Sequence, residues 1–301
     1  MKHTAKVTIA LIFFFFMAQI TGLLVVNQYI DHQQTEIKGE TVMKPLPYGL
    51  ERPEVENQST SFIYITIAVI IGTVLVLLLI RFNKPIVWKL WYLITVWLTL
   101  SIAFAAFINA LIAGIVALLL TLFKLYKPNI IVQNLSEIFV YGGLAAIFVP
   151  ILNIFAAFML LILISVYDFI AVFKTKHMIK LAKFQSNSNV FAGLLIPYEG
   201  GKISIKGGTI PKRASQHNKA RVAVLGGGDI GFTLIFAGVV MKNLMLHESI
   251  LAGFLKTLAI PICVSFALFL LLFKGQQNKF YPAMPVLSLG CFIGYLAILL
   301  I

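Results

Sequence analysis

The chain predicts an all-α, polytopic membrane protein of nine transmembrane helices, with its N-terminus cytoplasmic and its C-terminus external. Two observations predict the class. Apolar residues make up 60% of the 301 positions and charged residues 12%, more apolar surface than a soluble domain of that length could bury. Those apolar residues also gather into runs of about 20, the length a helix needs to cross a hydrocarbon core of about 30 Å. The third observation, charge placement, sets the orientation. The net charge is +13, but the Lys and Arg residues sit in alternate loops between the runs, a topogenic pattern and not a nucleic-acid patch.

The runs are 7–27, 61–80, 88–107, 110–126, 130–149, 153–173, 222–241, 249–273 and 284–301. The first follows Lys2 and Lys6. Its apolar core exceeds the h-region of about 7–15 residues in a signal peptide, and no small-x-small site follows, so it reads as a retained span. Residues 90–123 and 135–173 are each too long for one crossing. The first breaks near Asn109 and the second near Pro150–Asn153, where polar or helix-breaking residues interrupt it. Charge parity agrees: the basic groups around Arg81–Lys89, at Lys124 and Lys127, and from Lys174 onward must share one side. With the N-terminus inside, 19 of the 24 Lys and Arg residues are cytoplasmic and four are external. Lys256, within the eighth span, snorkels outward.

Three regions follow: 1–173, holding six spans and an external acidic loop at 28–60; a basic cytoplasmic loop at 174–221; and 222–301, holding three spans. In the basic loop, Gly200-Gly201 and Gly207-Gly208 bracket Lys202–Lys206, an alternating segment that reads either as part of a flexible basic linker drawn to anionic lipid or as a strand with an edge open to an extended partner. Cys263 and Cys291 fall in apolar runs and read as buried small hydrophobes, without a disulfide or a metal.

Asp168 and Asp229 are the acidic residues inside these runs; Glu137 stands at the polar entry to one, and the other eight lie in loops. A carboxylate in a bilayer is costly, which makes each a functional candidate. Asp168 lies six residues before Lys174 and Asp229 eight after Arg221, roughly 9 and 12 Å from their basic anchors on adjacent, oppositely directed spans. Two carboxyls at one depth can share a proton. The ionised member would then activate water while the protonated one polarises a carbonyl, as in aspartic proteases. Gly226-Gly227-Gly228 would let a peptide backbone approach Asp229. Membrane aspartate pairs also carry protons or cations, and the residue chemistry by itself leaves a protease and a transporter level.

Phe280-Tyr281-Pro282-Ala283-Met284-Pro285 opens the last span at the same cytoplasmic end, with prolines that leave carbonyls unpaired. Tyr167-Asp168, Gly226-Gly227-Gly228-Asp229 and Pro282-Ala283-Met284 together resemble the YD, GxGD and PAL motifs of the presenilin and signal peptide peptidase family of intramembrane aspartyl proteases. They come in the family's order, on the sixth, seventh and ninth spans. Met284 stands where the family has Leu, a change of similar volume. The resemblance implies a presenilin-like fold, Asp168 and Asp229 as the catalytic pair, and Tyr167, Gly226, Gly227, Gly228, Pro282, Ala283 and Met284 as substrate-binding or supporting residues. It implies no metal and no organic cofactor, water as nucleophile, and transmembrane segments of other proteins as substrates. Likeness to the compact archaeal members implies the cell membrane as location.

Overall fold

The computed structural model describes residues 4–55, 57–82, 84–127, 129–175, 181, 184–185, 190–198, 222–276 and 281–300. The apolar runs fold as helices, the form in which a segment in lipid satisfies its own backbone. They are α1 (Ala5–Tyr29), the short exposed α2 (His32–Lys38), α3 (Ser61–Arg81), α4 (Pro85–Ala105), α5 (Ala110–Tyr126), α6 (Ile130–Phe148) and α7 (Ile154–Phe169). After an antiparallel ribbon of β1 (Gly193–Pro197) and β2 (Val222–Gly226) come α8 (Gly227–Leu244), α9 (Ile250–Thr257), α10 (Ala259–Lys274) and α11 (Met284–Leu300). Among the described residues, six helical stretches are long and apolar enough to cross a membrane: Ala5–Tyr29, Ser61–Arg81, Pro85–Ala105, Ile130–Ile151, Ile154–Lys174 and Ile250–Lys274. Ala110–Tyr126 and Met284–Leu300 are shorter apolar helices.

Both long runs break where polar side chains can cap a new helix. The Asn109 side chain accepts from the Leu111 N–H at 2.9 Å, and that of Asn153 from Ala156 at 2.8 Å, each satisfying a donor the helix itself leaves orphaned. Pro150 sits in the tight turn Val149–Ile151 between them.

Two features depart from the expected pattern. Residues 222–226, expected as the start of a span, form β2 instead. Val222 and Val224 alternate with the buried Ala223 and Leu225, a period-two face that hydropathy cannot separate from a helical run. The class is thus helical with a small ribbon. The run 249–273 divides at Leu258, and Pro261 falls in the first turn of α10, where its missing N–H costs nothing. The strand expected at 202–206 lies outside the described residues.

At the centre stands α8. From Thr233 to Lys242 every residue is buried, and α1, α6, α7 and α11 pack around it. Glycines let neighbours come close: a Cβ on Gly238 would lie 2.7 Å from the Val149 side chain. On α1, Gln19 is fully buried and donates to the Ile230 carbonyl at 3.1 Å and to Thr233 Oγ1 at 2.8 Å. It thereby ties α1 to α8 one turn from Asp229.

The loop between α1 and α3 folds back over the helix ends. Arg52 Nε donates to the Ala146 carbonyl at 3.2 Å, Gln58 to that of Pro150 at 3.2 Å, and Asn153 to Ser59 Oγ at 2.7 Å. Ala146 lies in the last turn of α6, where helix carbonyls lack an intrahelical partner. Burial under the loop lowers the pKa of the Arg52 guanidinium, with Tyr29 nearby opposing the shift. Lys256 pairs with Glu248 at 2.7 Å, both side chains partly exposed. Lys242, expected in an external loop, is instead buried in the last turn of α8. There it donates to the carbonyls of Val149, Pro150 and Leu152 at 3.3, 3.5 and 2.7 Å.

Candidate active site

Asp168 lies near the C-terminal end of α7, which continues as a wide π-helical turn over Ile170–Lys174. Asp229 is the third residue of α8. The ring of Phe158 packs edge-on against that of Phe236 with centroids 5.0 Å apart, and it stacks on Phe292 of α11 at 4.9 Å. Phe158 precedes Asp168 by ten residues and Phe236 follows Asp229 by seven, about 15 and 10 Å along antiparallel axes. This aromatic contact therefore sets both aspartates at the same end of the α7–α8 pair.

The third element meets the first directly. Residues 281–283 are not helical, and α11 starts at Met284, whose N–H donates to Asp168 Oδ2 at 3.1 Å. A helix N-terminus offers unpaired N–H groups and a positive dipole end, both suited to a carboxylate. One turn inward, Ser165 and Ser288 join α7 to α11 across 2.8 Å. Asp168 is 6% exposed and Met284 3%, while Pro282 and Ala283 are half-buried. Tyr167 turns away from this contact: its hydroxyl donates to Thr73 Oγ1 on α3 at 2.8 Å.

The three glycines before Asp229 differ. A Cβ on Gly227 would lie 2.7 Å from the Tyr141 hydroxyl, and the Gly227 N–H donates to the Ala192 carbonyl at 3.2 Å. Gly228 is exposed, and a Cβ there would find its nearest neighbour, Phe232, at 3.8 Å. At Gly226 a Cβ would come within 3.4 Å of Asp229 Oδ2, so the carboxylate folds back over that glycine. Asp229 itself is half-buried.

Beside this turn lies a polar group that sequence reasoning missed. Glu137 is 1% exposed inside the bundle, not at a polar span entry, and it pairs with Lys124 at 2.6 Å. Lys124 is buried with it and is not a free loop cation. Gln133 and Asn134 of α6 grip β1. Asn134 exchanges hydrogen bonds with the N–H and carbonyl of Leu195, at 2.9 and 2.8 Å, while Gln133 donates to Phe191 and Gly193. The signal was present as Gln133, Glu137 and Tyr141 at four-residue spacing, one face of a helix. Among the described residues, no three His, Cys, Asp or Glu side chains gather where a metal could sit. Cys263 and Cys291 are free thiols.

The fold is that of a polytopic helical membrane protein. The sequence matches the family described as signal-peptide peptidase, presenilin aspartyl protease over residues 47–301, and the chain belongs to that family. Two solved structures of a presenilin family intramembrane aspartate protease share its fold. One, in space group C222, has a TM-score of 0.57 at 19% identity, covering 96% of this chain and 97% of that one. The other, in P2, has 0.59 at 19% identity, covering 97% and 96%. No curated protein matches the chain.

Proposed function

We propose that this protein is an intramembrane aspartic endopeptidase that hydrolyses peptide bonds within transmembrane segments of other membrane proteins. Asp168 and Asp229 share one proton: the ionised carboxylate takes a proton from water, and the protonated one polarises the scissile carbonyl. The observation that carries the reading is the bond from Met284 N–H to Asp168 Oδ2, which joins the Pro282-Ala283-Met284 segment to one aspartate on a helix packed against the other's. Family membership favours hydrolysis over ion carriage by the same two groups. The charge pattern supports nine crossings, an inside N-terminus, an outside C-terminus and residence in the cell membrane.

A substrate helix must unwind before its backbone can reach a carboxylate, and lipid cannot satisfy the groups so freed. The ribbon supplies replacements. Asn134 occupies the outward N–H and carbonyl of Leu195 on β1, which closes that edge. Leu195 faces Val224 in the register, so the Val224 N–H and carbonyl point to the opposite edge, where Val224 is 48% exposed. Pairing of a substrate strand along that edge of β2 would lead it toward Asp229, five residues on.

The test is purified protein in liposomes with a panel of transmembrane peptides, read by mass spectrometry, beside Asp168→Asn and Asp229→Asn. Cleavage by the native chain and none by either variant is expected. Cation flux without cleavage, lost in the same variants, would establish the carrier instead.

A further inference from the structure

We propose that the buried Lys124–Glu137 pair is a positioning device for Asp229, acting through β1 and the glycine turn. The inference rests on the assignment of Asp229 to the catalytic pair. Glu137 is a hub with each oxygen engaged. Its Oε1 accepts from Lys124 Nζ at 2.6 Å and from Gln133 Nε2 at 3.1 Å, and its Oε2 accepts from the Tyr141 hydroxyl. The same Gln133 amide donates to the carbonyls of Phe191 and Gly193 at 2.9 and 3.0 Å, and Tyr92 adds a bond to Phe191 at 3.2 Å. Phe191 and Gly193 flank Ala192, and Ala192 holds the N–H of Gly227. Gly227 also packs against the hydroxyl of Tyr141, the second group that Glu137 fixes. Gly227 is thus held by two groups answering to one carboxylate, two residues before Asp229.

Stability alone gives a weak account of such a pair. Removing two charges from water costs several kcal/mol per ion, and well-packed apolar replacements of buried pairs are often neutral or stabilising. Hydrogen bonds to Glu137, in contrast, fix the direction of Gln133 and Tyr141, and through them the entry of α8. Catalytic groups must hold their geometry to about 0.5 Å, which needs this kind of outer support. Lys124 and Glu137 act through Gln133, Tyr141 and β1, and so as positioning residues.

The experiment compares Lys124→Met/Glu137→Leu with Lys124→Met/Glu137→Gln in liposomes, measuring kcat and KM on one cleavable transmembrane peptide, thermal stability and amide exchange. The Leu variant removes both charges and should fold, yet lose kcat by about 10–100-fold, with little change in KM. Its amides at 191–193 and 226–229 should exchange faster. The Gln variant keeps a polar partner for Gln133 and Tyr141 and should recover most of the lost kcat. Wild-type kcat in the Leu variant, unchanged exchange, or equal losses in both variants would overturn the proposal. Asp229→Asn, run alongside, separates the two readings: if it still cleaves, the assignment of Asp229 has failed, whereas its inactivity beside a fully active Leu variant sinks the positioning role alone.

Discussion

The Met284 N–H donates to Asp168 Oδ2 at 3.1 Å, so the first amide of α11 is spent on a carboxylate of α7 and not on its own helix. That bond exists because α11 starts where it does. Pro282 has no N–H, and residues 281–283 stay out of the helix. Were the helix to extend backward by one turn, the Met284 N–H would be claimed by a carbonyl four residues earlier and Asp168 would lose its donor.

Pro282→Leu is therefore expected to cut cleavage by about tenfold or more, since it frees φ at 282, loosens the segment that sets the Met284 N–H against Asp168 and disturbs the orientation of that carboxylate. Met284→Leu should be nearly silent. The site is 3% exposed, and a swap of similar volume in a packed interior costs less than about 1.5 kcal/mol. Rates of peptide cleavage for both variants, beside their melting temperatures, check the contrast; equal losses would mean that packing, not the amide, is what matters at this helix start.

The glycines before Asp229 are expected to separate stability from turnover. Gly227→Ala drives a methyl to within 2.7 Å of a tyrosine hydroxyl that Glu137 holds in place, and such overpacking costs about 1–3 kcal/mol. Its melting temperature should fall. Gly228→Ala meets nothing nearer than 3.8 Å and should melt like the native protein. Its methyl would stand in the open space beside Asp229 that a substrate backbone needs, so its cleavage rate should fall without a loss of stability. A Gly227→Ala protein that melts normally would show that Tyr141 can move aside.

A pair that works with one proton has two inactive forms. In acid both carboxyls are protonated and none accepts a proton from water; in alkali both are ionised and none polarises the carbonyl. The rate of peptide cleavage against pH should therefore rise and fall as a bell whose limbs belong to the pair, not to either residue. A profile that climbs across the whole range of stability, with no second limb, would contradict a shared proton.

Much of this was legible in the residues because it is local. Asn109 and Asn153 break long runs by capping the helix that follows, a signal carried within three residues of chain. The aspartates stand out because an acid among twenty apolar residues has no bland reading in lipid. Hidden from sequence was whatever depends on distant partners. Lys124 and Glu137 neutralise each other between α5 and α6, so the lysine looked like a cytoplasmic anchor and the acid like a span entry. Lys242 likewise looked external until three carbonyls closed around it. In β2, the valines run straight into the apolar start of α8, and only pairing with β1 marks them as a strand. The same pairing gives the ribbon a strand edge at residues adjoining the glycine turn, which hydropathy did not mark.

That edge yields the last prediction. Val224 faces Leu195 at a position where neither residue bonds the other, since the Leu195 backbone is held by Asn134. Its N–H is thus outside the ribbon's own ladder, and Val224→Pro would delete an outward donor while leaving the bonds between β1 and β2 in place. If an unwound substrate pairs there, the variant should lose about tenfold or more in cleavage of transmembrane peptides, because each unsatisfied group in lipid costs several kcal/mol. A small inhibitor directed at the aspartates has no strand to pair and should bind nearly as before. Cleavage and inhibitor affinity measured on the same preparation decide it. Normal cleavage would place the substrate backbone elsewhere, and parallel losses of both would show that the proline had disturbed the glycine turn and Asp229 with it.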